Sequence, residues 1–158
     1  FCPKRSPNRN HEDMVKIRSA TVDDISVMHG FVEELEEQKF DAETFRMLAV
    51  ENLNNPNCYY FIAEMKSDPV GFVSLHVQTL LHHLGKTGEI QELYVKADFR
   101  NHSIGKLLIE QVEKTAAQLN LLEIEVTAQV RRLHTHAFYQ KQGYELSHHK
   151  FTKKMQRL

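Results

Sequence analysis

One stretch, residues 89–117, constrains the fold more than any other part of the chain. Its first seven residues include the branched and aromatic side chains that favour strands. A short polar loop, residues 96–102, follows them. Apolar and small residues then recur three and four positions apart as far as Leu119, which is the spacing of an amphipathic helix. The stretch therefore predicts a strand, a loop and a helix in immediate succession.

The start of that predicted helix is suited to an anion. The first four N–H groups of a helix have no partner within it, and the helix dipole adds partial positive charge at the same end. A phosphate or pyrophosphate is a natural ligand at such a place. Arg100 and Lys106 supply positive charge here, while Ser103 and Gly105 are small. We therefore predict a phosphate-binding loop before the helix.

The strand, loop and helix resemble the coenzyme A pyrophosphate loop of the GNAT N-acetyltransferases. Residues 93–95, Arg100 and residues 104–108 carry the resemblance. Ser103 stands where the family usually has a glycine, and because serine is a good N-cap we expect it to begin the helix. The resemblance implies that acetyl-CoA is the cosubstrate and that the loop binds it. The residues implied are Leu93, Tyr94, Val95, Arg100, Asn101, His102, Ser103, Ile104, Gly105 and Lys106.

Length and composition indicate one globular domain without an excess of charge. The chain has 158 residues, 41% of them hydrophobic and 26% charged, and a formal net charge of -1. This balance gives no reason to expect nucleic acid or an anionic membrane as a partner. No apolar run approaches the roughly 20 residues that span a bilayer. Two cysteines, Cys2 and Cys58, are too few for a disulfide framework, so we expect a cytoplasmic protein.

The first residues, 1–13, are polar, contain proline and show no periodicity. They lack the apolar segment of a secretory signal. We expect them to be a disordered tail or a remnant of an expression vector. We expect residues 14–158 to form a single domain, and a homodimer is compatible with that organisation.

The rest of the chain predicts an α/β fold with a mixed central sheet of about six to seven strands and about four helices. The predicted order, β-α-α-β-β-β-α-β-α-β, is also that of the GNAT fold. Thr21 to Asp24 resemble a capping box, and Asp41 precedes a second helix. Strands are predicted at 15–18, 58–65, 70–77, 89–95, 121–127 and 144–154, helices at 25–38, 42–53, 104–119 and 133–142, a hairpin turn at 67–69 and a loop or strand end at 80–88.

Two glutamates on the strand before the loop are candidates for a catalytic base. Acetyl transfer needs a neutral amine, and a carboxylate can take the proton of the amine directly or through water. By resemblance, Glu89 stands where the family has a glutamate base, and Glu92 is the second candidate. Solvated charge at a strand end is the alternative interpretation for both. The β-bulge of the family would free N–H groups near residues 93–95 to polarise the thioester carbonyl.

Tyr139 is the candidate acid. Residues 137–144 resemble the family segment Phe-Tyr-x-x-x-Gly-Phe/Tyr, whose first tyrosine lies near the coenzyme sulfur. A phenol with a pKa near 10 can return a proton to the departing thiolate. A core aromatic residue on a helix is the alternative. Arg132 replaces an asparagine that is frequent in the family, and we expect a coenzyme contact there as well.

Histidines are clustered before and after the central strand. Each of them alone is more often a surface or packed residue, but His76, His82 and His83 precede Glu89 closely. Segments of the chain also resemble the bacterial aminoalkylphosphonate N-acetyltransferases. The shared segments, between residues 16 and 154, are 40–41, 45–46, 52–53, 56–57, 75–76, 82–83, 88–93, 147–148 and 151–153.

This second resemblance implies an aminoalkylphosphonate as the acceptor and a divalent metal associated with activity. Phosphonate is a doubly charged oxyanion, which Arg46, His76, His82 and His83 would complement as substrate-binding residues. Histidines with a carboxylate are acceptable ligands for Zn, Ni or Co, but the spacing matches no recognised metal motif. The metal ligands therefore stay unknown.

Other functions stay open. The first alternative is an N-acetyltransferase with another acceptor, which is a polyamine, an amino sugar or a protein lysine. A non-catalytic CoA-binding module is another, against which Glu89 and Tyr139 argue. A small metal-binding protein is the third, and it is disfavoured because the histidines lie within a complete transferase pattern.

Overall fold

A computed structural model describes residues 14–156 of the chain, so the expected tail at 1–13 lies outside the described residues. The chain divides after Glu125 into two compact units. The strands are β1 (Lys16–Ser19), β2 (Cys58–Met65), β3 (Asp68–Leu80), β4 (Gly85–Val95) and β5 (Ile124–Val126), and the helices are α1 (Ile25–Glu36), α2 (Ala42–Leu53), α3 (Ile104–Gln118) and α4 (Leu133–Lys141). The single domain expected at 14–158 stays a prediction.

Between residues 14 and 156 the sheet has five strands, in the order β1-β2-β3-β4-β5. β1 to β4 pair antiparallel with their neighbours. The α/β fold with four helices is confirmed, but the sheet is smaller than predicted because residues 144–154 form no strand. Phe151 is 94% exposed there. An apolar side chain that is exposed cannot hold a strand in register against a core.

Local signals at the first two helices are confirmed. The Thr21 hydroxyl accepts a hydrogen bond from the Asp23 N–H, and the Asp24 carboxylate accepts one from the Thr21 N–H, which is a capping box. Arg18 of β1 forms an ion pair with Asp24 at 2.8 Å. The Asp41 carboxylate caps α2 by accepting a hydrogen bond from the Thr44 N–H at 2.8 Å. These contacts fix the residues at which the helical segments begin.

The core lies on both sides of β2, β3 and β4. One cluster joins α1 to the sheet, and it consists of Met28, Phe31, Tyr60, Ile62, Phe72 and Tyr94. α3 packs against the same three strands. Its buried residues are Ile104, Leu108, Ile109, Val112, Thr115 and Ala116, which follow the predicted helical spacing. Burying each large apolar side chain contributes roughly 1.5–3 kcal/mol.

The β2–β3 turn differs from the prediction. Met65 pairs with Asp68, so the loop has two residues, Lys66 and Ser67, and not the segment 67–69. Both loop residues have positive φ, 51° and 67°, as the type I′ turn of a tight hairpin requires. Pro69 is then the second residue of β3, beside a register shift in β2, where proline is tolerated.

The remaining strand boundaries shift by a few residues. The predicted loop at 80–88 is mostly strand, interrupted by a short 3₁₀ turn at Leu81–His83. β5 is shorter than the predicted 121–127. None of the helices in the described part of the chain is long and apolar enough to cross a membrane.

Candidate active site

A β-bulge in β4 brings the two candidate carboxylates to one face of the sheet. Ser74 of β3 lies opposite two residues, Gln91 and Glu92, where a regular ladder would have one. Side chains alternate along a strand, so residues three apart normally lie on opposite faces. The extra residue shifts the alternation, and Glu89 and Glu92 therefore both lie on the face that carries Tyr94. The predicted bulge is confirmed, but it lies just before residues 93–95.

Ser74 holds the bulge and the carboxylate of Glu92 together. Its side chain is fully buried. Ser74 Oγ accepts a hydrogen bond from the Glu92 N–H at 3.0 Å and donates its own proton to Glu92 Oε2. Because one hydroxyl satisfies the main chain and the side chain of the same residue, it fixes the direction of the Glu92 carboxylate.

The Glu92 carboxylate faces a cavity of about 170 Å³ between α1, α2 and the sheet. Most of the lining is apolar, and the polar groups are Asn52, Tyr60 and Glu92. The apolar lining residues are Met28, Val32, Phe45, Leu48, Ala49 and Phe72. A concave apolar pocket with a few convergent polar groups is the usual form of a small-molecule site.

A chain of hydrogen bonds leads away from this cavity. The Asn52 side-chain amide donates to Tyr60 Oη at 3.0 Å, and Tyr60 Oη lies 2.9 Å from His76 Nε2. Burial raises the pKa of Tyr60 above its ordinary value, and the charge of Glu92 raises it further. His76 is half-buried and lies opposite Glu89 in the β3–β4 register. These bonds lead from the cavity that Tyr60 and Glu92 line to His76, the register neighbour of Glu89.

The loop before α3 is built from the main chain. Asn101 and Ser103 have positive φ, 69° and 59°, the conformation that glycine adopts most readily. Ser103 is the N-cap residue of α3, but its side chain makes no capping hydrogen bond. A serine at φ 59° does not have the extended backbone that a side-chain cap needs. The first helical bond runs from the Leu107 N–H to the Ser103 carbonyl at 3.0 Å, so the N–H groups of residues 104–106 precede it.

Positive charge at this loop is exposed. Arg100 donates to the Val95 carbonyl at 3.1 Å, and its guanidinium lies 5.9 Å from the centre of the Tyr94 ring. Lys106 forms an exposed ion pair with Glu110 at 3.6 Å. His102 Nδ1 lies 3.2 Å from the Arg100 carbonyl. The structure therefore gathers the predicted coenzyme-binding cations next to the free N–H groups of the helix.

The second unit carries Tyr139 on α4. Tyr139 is buried, and its ring packs edge-on against Tyr144 at 5.4 Å. Burial and the neighbouring Tyr144 raise its pKa, so the hydroxyl stays protonated at neutral pH. It lines a cavity of about 80 Å³ within this unit. Arg132 is the half-buried N-cap residue of α4.

None of the four predicted substrate residues lines the cavity. Arg46 is exposed on α2, next to the lining residue Phe45. His82 and His83 belong to the turn after β3, where their rings lie 4.3 Å apart. β3 ends at Leu80, about 13 Å along the strand from His76 at about 3.3 Å per residue, and the turn follows it. Of the four, His76 alone joins the hydrogen-bond chain.

The sequence also missed residues that the structure places at the cavity. Tyr60 and Asn52, which line the cavity, were not among the candidates, and neither was Ser74, which binds the lining residue Glu92. The available signal was Ser74 itself, a polar residue inside the apolar run of β3. A buried hydroxyl needs a hydrogen-bond partner, so such a serine indicates an unusual neighbour.

The chain was compared with known proteins. The Acetyltransferase (GNAT) family matches residues 26–144. The chain is 36% identical over 148 residues to the aminoalkylphosphonate N-acetyltransferase of Salmonella typhimurium, covering 92% of this chain and 96% of that protein.

Solved structures agree on the fold. A transcriptional regulator from Bacillus halodurans has a TM-score of 0.83 and 19% identity, over 90% of this chain and 100% of that one. Glucosamine-6-phosphate N-acetyltransferase from Arabidopsis thaliana has a TM-score of 0.74 and 20% identity, over 91% and 100%. The family match, the relative and the fold agree with one another. The chain therefore belongs to the GNAT acetyltransferase family, whose members use acetyl-CoA, and it is an N-acetyltransferase.

Proposed function

We propose that the chain transfers the acetyl group of acetyl-CoA to the primary amine of an aminoalkylphosphonate. The observation that carries the proposal is the Glu92 carboxylate, held by Ser74 at an apolar cavity of about 170 Å³. The substrate class rests on the similarity to the aminoalkylphosphonate N-acetyltransferase of Salmonella typhimurium, which covers 92% of this chain. A small cavity also suits a short aliphatic amine.

In the proposed reaction an ammonium group enters the cavity and gives one proton to a carboxylate. The neutral amine attacks the thioester carbonyl, a C–N bond forms, and the C–S bond breaks as the tetrahedral intermediate collapses. The departing thiolate takes a proton from the acid, and the second proton of the amine replaces the proton that the acid has given. We assign the base to Glu92, because Glu92 lines the cavity. Glu89 was the first candidate from the sequence, and it stays the second candidate because it lies on the same face.

Tyr139 is the proposed acid for the departing thiolate. Its support is the resemblance of residues 137–144 to the family segment and its raised pKa. A phenol that stays protonated holds a proton to give. Tyr139→Phe removes only the hydroxyl and should lower kcat by about tenfold to a hundredfold. The proposed pyrophosphate site is the loop of residues 96–103 with the start of α3.

A divalent metal is part of the proposal at one place. His83, Glu123 and Glu125 bring one ligand atom each within 4.8 Å of the others. His83 Nε2 lies 3.3 Å from Glu123 Oε1. An imidazole with two carboxylates is a fitting donor set for a divalent ion, which would neutralise the two carboxylates near β5. A higher unfolding temperature with added Zn²⁺, abolished in Glu123→Gln, would support this site.

The test is a panel of amines with acetyl-CoA, followed by release of the thiol. Aminoethylphosphonate should have the highest kcat/KM, above ethanolamine, a polyamine, glucosamine and a lysine peptide. A higher kcat/KM for one of the others would overturn the phosphonate but not the acetyl transfer. Binding of acetyl-CoA without turnover of any amine would indicate a coenzyme-binding module instead.

A further inference from the structure

The hydrogen bonds around Tyr60 define where its single proton points. The Asn52 amide nitrogen has no lone pair to offer, so it donates and Tyr60 Oη accepts. The other neighbour of Tyr60 Oη is His76 Nε2 at 2.9 Å. When His76 is neutral with its proton on Nδ1, Nε2 is an acceptor and the Tyr60 hydroxyl donates to it.

Protonation of His76 reverses that bond. An imidazolium donates from both nitrogens, so Nε2–H then points at Tyr60 Oη. The phenol oxygen would accept from Asn52 and His76 together, and its own proton must turn to another acceptor. Tyr60 lines the cavity with Glu92, whose charge acts on it. Tyr60 thus contacts His76, which is not a lining residue, and shares the cavity with Glu92, the carboxylate whose charge acts on its hydroxyl.

The proposed reaction produces a proton that has to leave. An ammonium group carries three protons and the amide product keeps one. The coenzyme thiol takes the second, so one proton per turnover remains. The cavity is mostly apolar, and a carboxylic acid left on Glu92 would block the next ammonium from losing its proton.

We propose that Tyr60 and His76 form a proton relay that carries this proton from the cavity to solvent. The relay rests on the proposed acetyl transfer. The O–H bond of protonated Glu92 breaks as a new O–H bond forms on Tyr60 Oη. In the same step the Tyr60 proton moves to His76 Nε2, and half-buried His76 passes a proton to water from Nδ1. Proton exchange with water then returns His76 to the form with its proton on Nδ1, ready for the next turnover. Glu92 is again a carboxylate, and no atom is oxidised or reduced.

Several ionisable groups face His76, and each of them could contribute to the pH dependence of kcat. Glu89 lies opposite it on β4 and Cys58 lies opposite it on β2. Tyr60 contacts it, and Glu92 shares the sheet face. Burial raises the pKa of the Cys58 thiol and of the Tyr60 phenol, so both stay protonated near neutral pH. The carboxylates of Glu89 and Glu92 remain, and their effects on kcat have to be distinguished from the effect of His76.

His76→Gln separates proton transfer from structure. A glutamine side chain can accept a hydrogen bond from the Tyr60 hydroxyl, but it does not titrate. Tyr60→Phe keeps the buried ring and removes the hydroxyl. His29→Gln is the matched control, because His29 is also half-buried and hydrogen-bonded, through Nε2 to the Phe40 carbonyl at 3.0 Å, and it does not line the cavity.

In the relay, kcat falls by about tenfold to a hundredfold in His76→Gln and in Tyr60→Phe, the scale of a proton-transfer step. The double variant loses no more than the worse single variant, because both residues act in one path. Added imidazole restores kcat of His76→Gln, and the KM for acetyl-CoA is unchanged. His29→Gln keeps wild-type kinetics.

Wild-type kcat and pH profile in His76→Gln would overturn the relay, as would losses that multiply in the double variant or resist imidazole. Nitrogen NMR of the resting protein is an independent check: His76 should carry its proton on Nδ1, and Nε2–H would contradict the assignment. A wild-type protein that acetylates a different amine tests the relay equally well. If it acetylates none, the proposed function fails and the relay fails with it, whatever the NMR result.

Discussion

The proposed acceptor cavity and the proposed coenzyme loop both adjoin β4, but they are built from different parts of the chain. At the cavity, buried and half-buried side chains come from α1, α2, β2, β3 and β4, and hydrogen bonds fix the polar ones, as Ser74 holds Glu92. At the loop, two residues with positive φ expose main-chain N–H groups, and the charged side chains are exposed.

The difference predicts two kinds of sensitivity. The cavity should respond to changes that keep the shape of a side chain but alter its protons. The loop should respond to changes in backbone conformation and bulk, and less to the identity of any single charge. The following predictions test this contrast.

The largest expected effect is that of Glu92→Gln at the cavity. The variant keeps the shape and loses the base, so kcat should fall by roughly 10²-fold with little change in the KM for acetyl-CoA. Steady-state kinetics and the acidic limb of the pH–rate profile measure it. Gln91→Ala, at the exposed residue of the same bulge, is the control. Should Glu89→Gln prove the more damaging variant, the base belongs to Glu89.

Gly105→Val should weaken the binding of acetyl-CoA at the loop before α3. Added bulk at the first turn of α3 crowds a pyrophosphate at the N–H groups, so the KM for acetyl-CoA should rise about tenfold, equal to about 1.4 kcal/mol. The KM for the amine should stay nearly constant. Glu113→Val places the same side chain at an exposed position of α3 and controls for helix propensity. An unchanged coenzyme KM in a folded variant would place the pyrophosphate elsewhere.

Asp24→Asn should destabilise the start of α1, the helix that lines one side of the cavity. Asp24 is buried at the start of α1, and the Arg18 guanidinium lowers its pKa, although burial opposes the shift. A lowered folded pKa stabilises the protein above the ordinary pKa of about 3.9, and this contribution is lost as pH falls through the folded value. The free energy of unfolding of the variant should be lower by roughly 1–3 kcal/mol at neutral pH. The contribution that wild-type Asp24 loses at acid pH should be absent from the variant.

Urea unfolding at several pH values measures this effect, with exposed Asp23→Asn as the control. Because α1 lines the cavity through Met28 and Val32, the KM for the amine should rise more than that for acetyl-CoA. An equal rise in both KM values would mean that a change at α1 affects the cavity and the coenzyme loop alike.

The smallest expected effect is that of Arg46→Ala. Arg46 is exposed, so its pairing with a phosphonate should contribute only about 0.2–1 kcal/mol. The loss in kcat/KM should appear with aminoethylphosphonate and not with ethanolamine. Glu51→Ala, another exposed charge of α2, is the control. An equal loss with both amines would remove Arg46 from phosphonate recognition.

Local spacing in the sequence was enough to determine several elements. The capping box at Thr21, the cap at Asp41 and the bounds of β2 follow from neighbouring residues, because caps and strands of this kind need only a few adjacent side chains. The helical face of α3 and the loop before it were predicted for the same reason. The family resemblance also led to Glu89 and Tyr139, and Glu92 was a candidate as the second carboxylate of the strand; the roles of all three stay predictions.

Only the tertiary structure decided the cavity and its hydrogen bonds. Ser74 and Glu92 are 18 residues apart, and Tyr60 and His76 are 16 apart. Their contact depends on the register of β2, β3 and β4 and on one extra residue in β4, which moves Glu89 and Glu92 to the same face. Register comes from the packing of whole strands against α1 and α3, and no local pattern contains it.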